Sequence, residues 1–118
     1  MAKERFIEEL LTFLAESPTP YHACSHMARR LESAGFEYLD EADSWQAQAG
    51  GKYYVVRNGS SLVAFNLAPG ELAECGLRMF GAHTDSPCLK IKPNPDVSRF
   101  GFEQLGVEVY GGVLLNPW

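Results

Sequence analysis

Apolar positions recur with a helical period over Lys3–Glu16. Phe6, Ile7, Leu10, Leu11, Phe13 and Leu14 fall on one broad face, with Glu8, Glu9 and Thr12 between them. Glu4 in the first turn suits the positive end of the helix dipole. Pro18 ends this helix, because its ring pushes Ser17 out of the α region. In the connector Ser17-Pro18-Thr19-Pro20, Thr19 is placed to cap a second helix, with Pro20 at the first position, where a missing N–H costs nothing. Ala23, Met27, Ala28, Leu31 and Ala34 form the apolar stripe of that helix, and Gly35 stops it.

Beyond Gly35 the period shortens. Phe36, Tyr38 and Leu39 read as extended, Gly50-Gly51 as a turn, and Lys52–Arg57 as a strand rich in aromatic and β-branched residues. Asn58-Gly59 predicts a two-residue hairpin loop, since both residues tolerate positive φ, and Ser61–Leu67 is the returning strand. After a loop with Pro69 and Gly70, the run Leu77–Ala82 predicts a central strand buried on both faces, with the hairpin beside it. Short strands are expected at Leu89–Lys92, broken by Pro93, Asn94 and Pro95, and at Val107–Tyr110. Helices packed on a sheet make the chain α/β or α+β. It stops on Val113, Leu114, Leu115 and Trp118, apolar residues that nothing later in the sequence covers. Such an ending is expected of the front part of a longer protein.

Composition narrows the classes. The length of 118 residues fits one domain, and 46% apolar with 21% charged residues is ordinary for a globular chain. No apolar run approaches the roughly 18 residues of a membrane span. Charges interrupt the apolar pattern of the first eleven residues, which rules against a secretory signal there. Ten basic against fifteen acidic residues, a net charge of −5, argue against binding a nucleic-acid backbone. The three cysteines, Cys24, Cys75 and Cys88, include no Cys-x-x-Cys pair, so no zinc ribbon or thioredoxin-type site is encoded. Each reads as a small buried apolar residue in a reducing cytoplasm.

The sharpest chemical signal is Gly81-Ala82-His83-Thr84-Asp85-Ser86-Pro87. A buried strand would deliver His83 at its C-terminal end, the edge where open α/β sheets bind ligands. A neutral imidazole is a good transition-metal ligand. Asp85 can receive the other ring N–H or orient a metal-bridging group. By itself His-x-Asp is a weak motif, and a lone histidine at a strand end is more often a hydrogen-bonded structural residue. His22 and His26 share a helix face at i, i+4, but position 23 is alanine, so no His-Glu-x-x-His site exists and a capping or solvated role is expected.

Gly81–Lys92 (GAHTDSPCLKIK) and Gln104–Gly112 (QLGVEVYGG) strongly resemble the active-site region of the M18 family of metallo-aminopeptidases, the aspartyl aminopeptidase group. Ser17–Ala23 (SPTPYHA), Gly35-Phe36 and Lys52–Ser61 (KYYVVRNGSS) are similar to its opening, helix exit and hairpin, in the same order. The resemblance implies the N-terminal part of a zinc-exopeptidase catalytic domain over residues 1–93: two helices, then a β-hairpin and a central strand. Residues 94–118 would begin an inserted β-rich domain of dimerisation type.

It further implies a cytoplasmic enzyme with two zinc ions that releases N-terminal amino acids from peptides, binds neither nucleic acid nor membrane, and assembles into a homo-dodecamer. In this resemblance His83 corresponds to a zinc ligand. Asp85 is the catalytic acidic residue that supports the metal, contributing position and charge rather than taking the proton. The other ligands and the general base lie far downstream in the family, which continues past the position of Trp118 with Phe-Asp-Arg-Asp. The alternative reading is a non-catalytic assembly or binding module derived from the same fold.

Overall fold

The computed structural model describes residues 2–70, 74 and 76–112. Cys75 and the apolar end Val113–Trp118 lie outside them. The chain divides into two units, residues 1–84 and 85–118.

In the first unit, α1 (Ala2–Ala15) and α2 (Pro20–Ser33) form where the apolar period predicts. Thr19 caps α2: its side chain accepts from the His22 N–H at 3.4 Å, with Pro20 in the first turn. At the other end the Gly35 N–H donates to the Glu32 carbonyl and the Phe36 N–H to that of Leu31, with Gly35 at φ +80°. This pair of bonds satisfies carbonyls that the helix itself leaves open. The apolar face of α1 is less covered than its pattern predicts. Phe13 meets His26 edge-on at 6.4 Å, but Leu11 and Leu14 are exposed and Phe6 is 67% exposed.

The sheet order is β1 (Glu37–Tyr38), β2 (Lys52–Arg57) and β3 (Ser61–Asn66). β1 runs parallel to β2, and β2 pairs antiparallel with β3 from Lys52↔Asn66 to Arg57↔Ser61. Asn58 (φ 52°) and Gly59 (φ 66°) make the turn as predicted, closed by the Ser60 N–H on the Arg57 carbonyl. Pairing resumes only at Ser61, so the loop is one residue longer than the two-residue form expected. α2 lies against this sheet. Among the described residues the core is small: Ala23, Cys24, Tyr53, Tyr54 and Val55. Cys24, at 1% exposure, is the most enclosed, and burial pushes its thiol up.

Tyr54 links helix to sheet. Its hydroxyl donates to Glu32 Oε1 at 2.6 Å, and that bond, then burial, pushes the phenol up to about 12 from the ordinary 10. The fold therefore holds a proton that the unfolded chain gives up first. The stabilisation is fully present below pH 10 and is lost as pH rises through about 12. Tyr54→Phe should cost about 1.5 kcal/mol near neutral pH and lose this alkaline dependence. Urea unfolding of both proteins at about pH 8 and about pH 11 measures it. Equal midpoints for the two proteins at both values would show that the bond adds nothing.

The expected central strand is corrected. Leu77–Ala82 has no ladder partner among the described residues, and the whole run is exposed, Phe80 at 99%. An apolar run signals that a strand will be buried, but a strand exists only once neighbours supply its hydrogen bonds. Here residues 76–80 instead line one wall of an open cleft of about 890 Å³ with Phe36, Val63 and Phe65.

The second unit is a hairpin of β4 (Cys88–Arg99) and β5 (Phe102–Tyr110). Both strands are longer than predicted. Pro93, Asn94 and Pro95 do not end β4. Ile91 pairs with Val107 and Asp96 with Leu105, so residues 92–95 loop out opposite Gly106. A proline has no N–H for a ladder, and a bulge is where a strand tolerates one. A side-chain carbon on Gly106 would lie 3.3 Å from the Pro95 carbonyl oxygen, which leaves little room for any other residue there. Cys88, expected to be buried, is exposed, because the two-stranded sheet leaves the side chains at its start uncovered. The α/β class, with two helices leading into a hairpin, is the one that forms.

Candidate metal centre

His83 and Asp85 stand on either side of the division between the units. In the first unit, the chain reaching His83 is anchored one residue later. The Thr84 hydroxyl donates to the Ser60 carbonyl at 2.9 Å, tying this segment to the turn between β2 and β3. His83 itself is exposed.

In the second unit, Asp85 is half-buried and its Oδ2 accepts from the Tyr110 hydroxyl at 3.3 Å. The negative charge of Asp85, and then this hydrogen bond, push the Tyr110 phenol up. Tyr110 ends β5 opposite Cys88 at the start of β4, so the hairpin returns it to the segment that precedes β4. Neither Thr84 nor Tyr110 stood out in the sequence. Thr84 lies inside the His-x-Asp motif, and Tyr110 just before Gly111-Gly112, where a chain that turns back can place a side chain over an earlier segment.

His22 and His26 play the local roles expected. His22 Nδ1 lies 2.8 Å from the Thr19 hydroxyl, and His26 lies 3.4 Å from Glu16 and 3.0 Å from Arg29. Neither faces a third metal-ligating group, and among the described residues no three of His, Cys, Asp and Glu gather at one point. The donor types at positions 83 and 85 suit zinc, an imidazole and a carboxylate, but a catalytic zinc takes three protein ligands. These residues fit zinc in kind and supply only part of a site.

The sequence pattern of the family described as Aminopeptidase I zinc metalloprotease (M18) matches residues 13–118. A curated relative, the probable M18 family aminopeptidase 2 of Ectopseudomonas mendocina (strain ymp), is 56% identical over 116 residues, 98% of this chain and 27% of that protein. Chaetomium thermophilum mApe1 is similar in structure with a TM-score of 0.82 at 34% identity, over 98% of this chain and 26% of the other. The S. cerevisiae mApe1 dodecamer is similar with a TM-score of 0.78 at 36% identity, over 97% of this chain and 27% of the other. The chain thus spans about a quarter of the length of the relatives it matches.

Proposed function

Because the chain belongs to the M18 family of zinc metallopeptidases, we propose that it forms the N-terminal quarter of a zinc-dependent aminopeptidase that releases N-terminal amino acids from peptides. The observation that carries this reading is the match to the family from residue 13 to residue 118, with His83 and Asp85 inside it. His83 would hold zinc through a neutral ring nitrogen. Asp85 would contribute negative charge behind the metal, its carboxylate bonded by the Tyr110 hydroxyl, while Thr84 ties the residues before it to the Ser60 carbonyl. Zinc, when bound, polarises the scissile carbonyl and activates water. We read the complete site as holding two zinc ions, with the further ligands and the general base supplied by chain outside residues 1–118.

Residues 1–93 are then catalytic domain and residues 94–118 the start of an inserted domain. β4 runs through that point, so the passage would be made along one strand, at the bulge of residues 92–95. A homo-dodecamer is the assembly we propose, supported by the likeness to the S. cerevisiae mApe1 dodecamer. The free thiols of Cys24 and Cys88 support a reducing cytoplasm as the location.

Aminoacyl anilides test the reading on the protein made from its whole reading frame. Free-amine substrates should be hydrolysed, N-acetylated ones should not, and a chelator should stop the reaction until zinc is restored. Equal rates on acetylated and free substrates would remove the exopeptidase assignment. The same panel ranks the preferred N-terminal residue.

A further inference from the structure

We propose that Tyr110 is a positioning residue for Asp85, its hydroxyl holding one carboxylate oxygen so that the acidic group is presented to the zinc site in one orientation. The inference rests on the functional reading above. Its geometry comes from the hairpin. Cys88 and Tyr110 are paired across the ladder, and the next residue, Gly111, passes so close to Pro87 that a side-chain carbon on it would lie 3.3 Å from the proline α-carbon. Residues 85–88 therefore run alongside residues 110–111: Tyr110 bonds Asp85, Gly111 passes close to Pro87, and the ladder pairs Cys88.

The Tyr110–Asp85 bond joins groups 25 residues apart in sequence. At 3.3 Å it is long for an O–H···O bond, so it biases the carboxylate modestly, in keeping with a loss at the low end of the range for such residues. A carboxylate turns about its Cβ–Cγ bond, and a donor on Oδ2 favours the rotation that keeps that oxygen within its reach. A phenol suits this task. It donates one proton and carries no charge near neutral pH, whereas Lys or Arg would cancel the negative charge that Asp85 supplies. Phenylalanine would fill the same space without directing the carboxylate.

The test uses the protein made from its whole reading frame. Tyr110→Phe should lower kcat about 10-fold, the low end for a residue that orients a metal-site group, with KM and zinc content unchanged. In an Asp85→Ala background the same change should cost nothing further, because contacting residues that act as a unit are non-additive. Equal losses in both backgrounds would mean that Tyr110 merely supports the hairpin, and the proposal would fall. A second readout does not depend on turnover. The ¹⁹F resonance of 3-fluorotyrosine at position 110, assigned by its absence in Tyr110→Phe, should move on Asp85→Ala. If the wild-type protein hydrolyses nothing, the aminopeptidase reading fails, and this resonance alone decides the pairing. A shift sustains the pairing of Tyr110 with Asp85 on which the proposal stands, and an unmoved resonance overturns it.

Discussion

Replacing His83 with alanine, in the protein made from its whole reading frame, should strip zinc and reduce amino-acid release to the level seen with chelator. A catalytic zinc is held by three protein ligands, and the loss of one leaves too few donors to keep the ion in place. His83 carries the imidazole that lies in the matched motif, exposed and one position before an anchored threonine. Asp85→Asn makes the informative contrast. The amide keeps the shape and can still accept from Tyr110, but it carries no charge. Zinc should stay, and turnover should drop about 10- to 100-fold. Metal analysis per protomer, beside anilide hydrolysis, separates the two outcomes. A His83→Ala protein with full zinc would move the ligand elsewhere. An Asp85→Asn protein with unchanged turnover would reduce Asp85 to a turn residue.

Residues 1–118 expressed alone should show no aminopeptidase turnover and only weak zinc binding. One imidazole and one carboxylate fall short of a catalytic ligand set, and among the described residues no three metal-ligating groups gather at one point. Calorimetric titration with zinc and an anilide assay check this. Tight stoichiometric zinc or measurable turnover would put a complete site within this chain. The same preparation should self-associate. Phe6, Leu11 and Leu14 on α1, and Met79 and Phe80 beyond the sheet, are exposed, and burying such a side chain is worth about 1.5–3 kcal/mol. Sedimentation over a range of concentrations decides. A monomer with a cooperative unfolding transition would show that the small core around Cys24 and Tyr54 suffices. A defined metal-free oligomer would favour an assembly module.

What could be read from the sequence was local chemistry. The Thr19 cap with Pro20 behind it, the Gly35 stop and the Asn58-Gly59 turn are each set by the residues that form them, and all three appear where expected. Pairing was harder to read. Leu77–Ala82 carries the apolar signal of a buried strand, yet its residues cannot specify which strands will lie beside them. The turn joining β4 to β5 escaped notice because it places Phe100, a strand-favouring residue, at φ 54° next to Gly101 at φ 79°. The prolines of β4 signal a stop in the sequence alone, because a bulge is defined by the opposite strand, here at Gly106. The candidate site divides the same way. His83 and Asp85 are adjacent enough to form a motif, whereas the partner of Asp85 comes from the far end of a hairpin.

The bulge at residues 92–95 also makes the two outer edges of the β4–β5 ribbon unequal. Pro93 and Pro95 offer no N–H to a neighbouring strand, so the outer edge of β4, unpaired among the described residues, is interrupted midway as a template for further pairing. β5 runs its nine residues, Phe102–Tyr110, without a proline. Lateral addition of a strand, from another part of the polypeptide or from a second copy, is therefore directed to the β5 side. A flat ribbon open on both sides can propagate into stacked sheets, and one interrupted side removes half of that hazard.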